Sequence, residues 1–301
     1  MKVAAGVITY NPDVSRLKDC ILSVVKQVDT LFVYDNCSSN IDEIQKAIYD
    51  IKKVELILAD KNNGVSFGLN QIVKACLDNQ FHWLLALDQD SLCPYNLIAS
   101  LSHYASTDCA IVCPQTIDRR LHYKNDFANH NNQPHIEYVD RCITAGSLLN
   151  LDVCKLIGGF DDFLFIDFVD FEYCFRAAAN GYKILRVNTV ILEQEFGEMV
   201  TAKHADIFIR FGRFFKSSFI MRFALKKKYS PIRKYYTIRN LWYCQKKYPS
   251  KYTNMEAWKL SIELVLKVLI FADNRFDVVL AILKGIKDGR KLKVITYTPN
   301  V

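Results

Sequence analysis

Two carboxylates, Asp88 and Asp90, close the apolar run Trp83-Leu84-Leu85-Ala86-Leu87. On an extended strand end, side chains at i and i+2 share a face, so both acids would point the same way. Such a pair can address one hard cation, Mg2+ or Mn2+, through oxygen ligands. A second acidic group, Asp167, Asp170 and Glu172, is set among Phe and Val in the segment 164–176. Apolar surroundings raise a carboxylate's pKa and strengthen it as a base, so this segment has the chemistry to take a proton from a hydroxyl. Acids are also favoured at a helix start by the dipole alone, a reading that suits Asp167 better than Asp170.

The elements that must hold these residues alternate over the first 115 or so positions. Apolar runs at 3–10, 30–36, 54–60, 82–90 and 109–114 predict strands. Between them, 15–28, 41–51, 67–79 and 97–104 repeat apolar residues at helical spacing, as in Leu17, Cys20, Ile21, Val24 and Val25. Continuous apolar strands separated by amphipathic helices imply a parallel sheet covered on both faces, with ligands at the carboxyl ends of the strands. Polar residues gather at those ends: Tyr10-Asn11-Pro12, Asp35-Asn36-Cys37-Ser38, Asp60 to Gly64, and Asp88-Gln89-Asp90. Turn chemistry explains each loop singly, but not two acids closing so apolar a strand. Residues 116–140 read as a polar loop or short hairpin. In 164–184 the second half reads as a helix capped by Asn180-Gly181, followed by a strand over 183–192.

The last third differs in kind. Residues 207–229 interleave Phe and Ile with Arg and Lys, and 255–293 are largely helical. From Glu198 to Val301, 22 Lys and Arg face 7 Asp and Glu, a balance of +15 against −8 for the rest. This split predicts an acidic catalytic domain over 1–205 and a basic helical region over 206–301 that meets an anionic surface. The same region can equally pack on the body with its charges solvated. Lys267, Asp273, Arg275 and Asp277 interrupt every apolar run before it reaches membrane-spanning length. No recognised nucleic-acid module is present, so no nucleic-acid partner is expected. The ten cysteines lack paired metal-ligand spacing and read as free, buried thiols in a reducing cytosol; no export signal is read ahead of Val3.

Seven stretches in order, VITYNP (7–12), VYDNCSSN (33–40), NNGVSFGLN (62–70), LALDQDS (85–91), ITAGSLL (143–149), GGFDDFLFIDFVDFEYCFR (158–176) and SPIRKYYTIRN (230–240), resemble the inverting family 2 glycosyltransferases of GT-A fold. The resemblance is in particular to the bacterial rhamnosyltransferases of O-antigen and capsule assembly. The resemblance implies an α/β, Rossmann-like, mostly parallel sheet with helices on both faces. Thr9, Tyr10 and Asn11 would line the nucleotide pocket. Asp35 would accept from the base N–H of uracil or thymine, with Asn36 beside it. Asn63, Gly64 and Asn70 would flank the nucleotide and diphosphate. Asp88 and Gln89 would lie against the donor, and Asp88 and Asp90 would hold the metal. Asp170 matches the catalytic base, and Asp167 and Glu172 would shape the donor or acceptor site. Arg239, with Arg233, Tyr235, Tyr236 and Asn240, would close over diphosphate or acceptor.

One position departs from the pattern. Where relatives place a metal-ligating histidine three residues before a glycine, this chain has Gln194 before Gly197. An amide oxygen ligates hard cations but serves transition ions less well than imidazole, and Glu193 or Glu195 can substitute. The expected reaction is transfer of rhamnose from dTDP-rhamnose to a lipid-linked saccharide, by an enzyme peripheral on the inner face of the cytoplasmic membrane. A UDP-hexose donor and a non-catalytic nucleotide-sugar-binding scaffold are the alternatives. An oligomer is compatible with the sequence.

Overall fold

A computed structural model describes residues 2–118, 134–194, 199–201, 210, 225–227 and 229–294. In it, the apolar runs of the N-terminal third become strands β1 (Val3–Thr9), β2 (Thr30–Asp35), β3 (Val54–Leu58) and β4 (Trp83–Asp88). The intervening helices are α1 (Val14–Val24), α2 (Ile41–Ile48) and α3 (Val65–Asp78). Asp13 starts α1 by accepting from the backbone N–H groups of Ser15 and Arg16. Leu17, Cys20, Ile21 and Val24 then face the sheet, fully buried. The helix stops four residues before the expected Val28, although Val25 still packs inward.

Helix α4 (Leu97–Ser102) and strands β5 (Cys109–Asp118), β6 (Ile136–Tyr138) and β7 (Ser147–Asn150) follow. Asn150 ends β7 and caps α5 (Leu151–Ile157) by accepting from Asp152 and Val153. Helix α6 (Val169–Ala179) and strand β8 (Lys183–Gln194) complete the layer. One eight-stranded sheet runs β3-β2-β1-β4-β7-β5-β8-β6. β1 pairs in parallel with β2 and β4, so Thr9 is level with Asp35 and Ile8 with Asp88. β7 was not legible as a strand; it enters antiparallel between β4 and β5 and makes the sheet mixed rather than wholly parallel. β5 and β8 pair in parallel with a register shift after Pro114, which has no N–H to give the ladder.

The described residues divide into two compact units, 2–118 with 134–194, and those from 199 to 294. In the second, β9 (Met199–Thr201) and β10 (Leu225–Lys227) form an antiparallel pair. Helices α7 (Pro231–Lys247), α8 (Asn254–Phe271) and α9 (Arg275–Lys291) pack together. The sequence reading did not name α7, though Ser230 at its cap and Pro231 at its first position are start signals. Gly285 and Gly289 let α9 approach the α7 backbone; a Cβ at either would lie 2.7 Å from the carbonyl of Tyr235 or Arg239. A capping box between Thr253 and Glu256 starts α8. No helix among the described residues is long and apolar enough to cross a membrane. Most of the expected loop at 116–140 and most of the basic segment 207–229 lie outside the described residues, as does Glu195.

Candidate active site

Strand ends β1, β2 and β4 bring their polar residues to one edge. Thr9 Oγ1 donates to Asp35 Oδ1 at 3.0 Å, and Ser38 N donates to Asp35 Oδ2 at 2.9 Å. Asp35 is buried with both oxygens engaged, so its carboxylate is fixed in place. Each oxygen has a second lone pair with which to accept one more donor. Tyr10 N donates to Gln89 Oε1 at 3.0 Å, tying the β1 loop to the β4 loop. Asn11 N donates to Ser38 Oγ, while Asn11 Oδ1 accepts from Ser39 N at 2.8 Å.

Asn36 and Asn70 act as braces. The Asn36 amide donates to Asn62 Oδ1 and the Gly64 carbonyl and accepts from Asn63 N, joining the β2 and β3 ends. Asn70 Nδ2 donates to Asp162 Oδ1 and the Phe160 carbonyl, and its Oδ1 accepts from Phe160 N. Gly64 has φ +88°, and an added Cβ would sit 2.5 Å from the Phe165 carbonyl. That carbonyl accepts from Val65 N at 2.7 Å, and Ser66 Oγ donates to Leu164 O at 2.6 Å. The start of α3 thereby holds the 160–165 segment against it.

The triplet Asp88-Gln89-Asp90 is not wholly on a strand. β4 ends at Asp88, and Gln89 and Asp90 form a turn in which Ser91 N donates to the Asp88 carbonyl at 3.1 Å. The same-face argument from an extended strand therefore does not cover Asp90. Both acids lie near the buried Cys20, whose Sγ donates to the Asp88 carbonyl at 3.4 Å and whose thiol is pushed up by burial first, then by Cys93, Asp88 and Asp90. Gln194, at the end of β8, donates through Nε2 to Asp88 Oδ2. Its own Oε1 is buried and accepts nothing. No group of three His, Cys, Asp or Glu among the described residues is arranged to hold a metal. An oxygen set that includes the unpartnered Gln194 carbonyl beside Asp88 nevertheless fits a hard cation, which takes amide and carboxylate oxygens.

Asp167 and Phe168 both have positive φ, 62° and 66°, a conformation that costs non-glycine residues energy and concentrates at functional turns. They turn the chain into α6, whose first turn carries Asp170. Burial pushes the Asp170 carboxyl up to about 7 against the hydrogen bond from Phe171 N, with the charges of Asp88 and Asp167 adding to the rise. Asp170 lines a narrow crevice, too small to hold a water, with Ile111, Cys142, Ile143, Thr144, Phe160 and Tyr173. The 142–144 wall was missed as site-forming, although 143–149 is one of the stretches that carry the family resemblance.

Glu172 faces the other way. It is fully buried and binds Arg176, with Nη2 to Oε2 at 2.8 Å and Nε to Oε1 at 3.2 Å. Arg176 also donates to the carbonyls of Ile157, Gly158 and Gly159. Two residues on a helix lie about 200° apart, so Asp170 and Glu172 cannot share a face. The expected donor or acceptor role for Glu172 gives way to one in holding the Gly158-Gly159 turn. Arg239 belongs to α7 in the second unit, where its guanidinium donates to Asn240 Oδ1 and stacks over Tyr236 at 4.7 Å.

A sheet that sets acids and amides at its strand ends, with an elevated carboxylate in the same unit, is a ligand-binding α/β architecture. The chain belongs to glycosyl transferase family 2, whose sequence profile matches residues 5–158. It is 26% identical over 250 residues to "dTDP-rhamnosyl transferase RfbF" of Shigella flexneri, covering 79% of this chain and 78% of that one. Among solved structures, that of GalNAc-T7 with UDP, GalNAc and Mn2+ superposes with a TM-score of 0.54 at 13% identity. The match covers 65% of this chain and 44% of that one. The fold is thus the GT-A type.

Proposed function

We propose that the protein transfers L-rhamnose from dTDP-rhamnose, with inversion, onto a lipid-linked saccharide during assembly of a cell-surface polysaccharide. The observation that carries the reaction is Asp170, a carboxylate poised near neutrality in a crevice and within electrostatic range of Asp88. In this reading Asp170 takes the proton of an acceptor hydroxyl as its oxygen attacks the anomeric carbon. The carbon–diphosphate bond breaks on the opposite face, which inverts the centre. Asp35, fixed by Thr9 and Ser38, receives the N–H that uracil and thymine share, with Tyr10 and Asn11 alongside. Asn63 and Gly64 border the diphosphate, and Asn36 and Asn70 hold the loops that do so. Asp167 narrows the entrance ahead of Asp170. Asp88, Asp90 and Gln194 would hold Mg2+ or Mn2+, which when bound offsets charge on the departing diphosphate. The similarity to a protein named for dTDP-rhamnosyl transfer supports the donor. The basic balance of the C-terminal third supports work at the anionic inner face of a membrane.

A donor panel tests this. dTDP-rhamnose should raise the melting temperature in the presence of Mn2+, more than UDP-glucose, UDP-galactose or GDP-mannose. Stabilisation by a UDP-hexose alone would replace the sugar, and stabilisation by none would refute the reading. Asp90→Ala should stay folded and lose both transfer and the Mn2+ effect.

A further inference from the structure

Helices α8 and α9 carry a surface that sugar transfer does not use. α8 buries Ala257, Ser261 and Val268, and α9 buries Val278, Ile282, Gly285 and Gly289. Their opposite faces would ordinarily be polar. Instead Met255 (79% exposed), Ile262, Leu266 and Ile270 (68%) follow one another along the outside of α8 at spacings of seven, four and four. On α9 the exposed residues Phe276 (74%), Leu280 and Leu283 do the same at four and three. Single exposed apolar residues are ordinary, but a stripe repeated on two consecutive helices marks a contact surface.

Charge identifies what the surface meets. Exposed Lys287 and Lys291 continue the Phe276-Leu280-Leu283 stripe at helical spacing, and exposed Lys293 follows the helix end. The segment lies in a region with a balance of +15. We infer that the outer face of α8 and α9 docks in the plane of an anionic phospholipid surface, with the apolar stripes at the acyl boundary and the lysines among the phosphates. Neither helix can span the bilayer, so they lie along it. A second copy is the poorer occupant, because a two-fold interface brings the same patch, lysines included, against itself. The inference deepens the proposed lipid-linked acceptor reading and rests on its premise that the enzyme works at a membrane.

Flotation of the full chain with vesicles decides it. Vesicles of phosphatidylglycerol and phosphatidylethanolamine should carry the protein, and phosphatidylcholine vesicles should not. Lys287→Gln/Lys291→Gln/Lys293→Gln should weaken binding on the order of a hundredfold, at about 1 kcal/mol per lysine. Phe276→Ser/Leu280→Ser/Leu283→Ser should weaken it at least about tenfold. These side chains are exposed, so the variant should keep the wild-type melting temperature and transfer to a water-soluble acceptor. Equal binding to neutral vesicles, or unchanged binding by both variants, overturns the inference. So does a dimer that the serine variant abolishes while the wild type ignores vesicles. Transfer to the soluble acceptor is read separately, so loss of docking and failure of the transferase reading give different results.

Discussion

Replacing Asp170 by asparagine should make the protein more stable and less active. The carboxyl stands at about 7 in the folded chain, chiefly through burial, against an ordinary 3.8. Below 3.8 both states hold the proton and the charge costs nothing. Between 3.8 and about 7 the unfolded chain releases the proton while the folded chain keeps it, so stability falls as pH rises. Above about 7 both are ionised and the loss is complete. The cost to the folded state comes to about 2 kcal/mol at pH 5 and about 4 kcal/mol at pH 8, an upper bound because the side chain is partly open to solvent. Asparagine carries no charge and escapes it. Urea unfolding in chelator at both pH values should show Asp170→Asn gaining more at pH 8 than at pH 5. Transfer should fall about 10²–10⁴-fold, the usual contribution of a positioned base. The wild-type kcat/KM should rise with pH through about 7, and that limb should vanish in the variant. An Asp170→Asn protein that is less stable at pH 8 refutes the burial argument, and one that turns over like wild type refutes the role as base.

Glu172→Ala strands the Arg176 guanidinium in a buried site and should cost about 3–5 kcal/mol in chemical unfolding. Gly64→Ala forces a side chain into positive φ against the Phe165 carbonyl; it should cost about 1–3 kcal/mol and raise protease sensitivity in the 160–165 segment. Asp35→Ala removes the acceptor for Thr9 Oγ1 and Ser38 N, each about 1–3 kcal/mol when left unpaired and buried. Calorimetry should also find its donor binding lost.

The N-terminal half of the fold was readable because its short continuous apolar runs are set off by helices with apolar residues at helical spacing, as in 83–88 against 65–78. β7 was not, since four buried residues leading directly into a helix carry no periodicity of their own. The strand-end acids were visible by type, but residue type does not reveal engagement. Asn36 and Asn70 look like ligand-binding amides in sequence, yet distant backbone groups claim them. Glu172 and Asp170 differ by two positions and by the whole thickness of a helix. The i, i+4 spacing of Glu172 and Arg176 was legible, but only the fold shows the pair buried and joined to the 157–159 carbonyls. Gln194 lies 106 residues after Asp88, so no local pattern joins them; the family resemblance alone put Gln194 at the metal site, and the fold brings its amide to Asp88.

The antiparallel insertion of β7 sets an order on synthesis. β3, β2, β1 and β4 pair within the first 88 residues and can assemble as soon as that stretch leaves the ribosome. Asp88 then waits while residues 89–194 are made, on the order of ten seconds at common elongation rates, before Asp170 and Gln194 arrive. Until β7 docks, the side edge of β4 offers unpaired N–H and C=O groups, the template on which strands of other chains join. A nascent chain of this protein is therefore most exposed to misassembly in the interval between its fourth strand and its seventh.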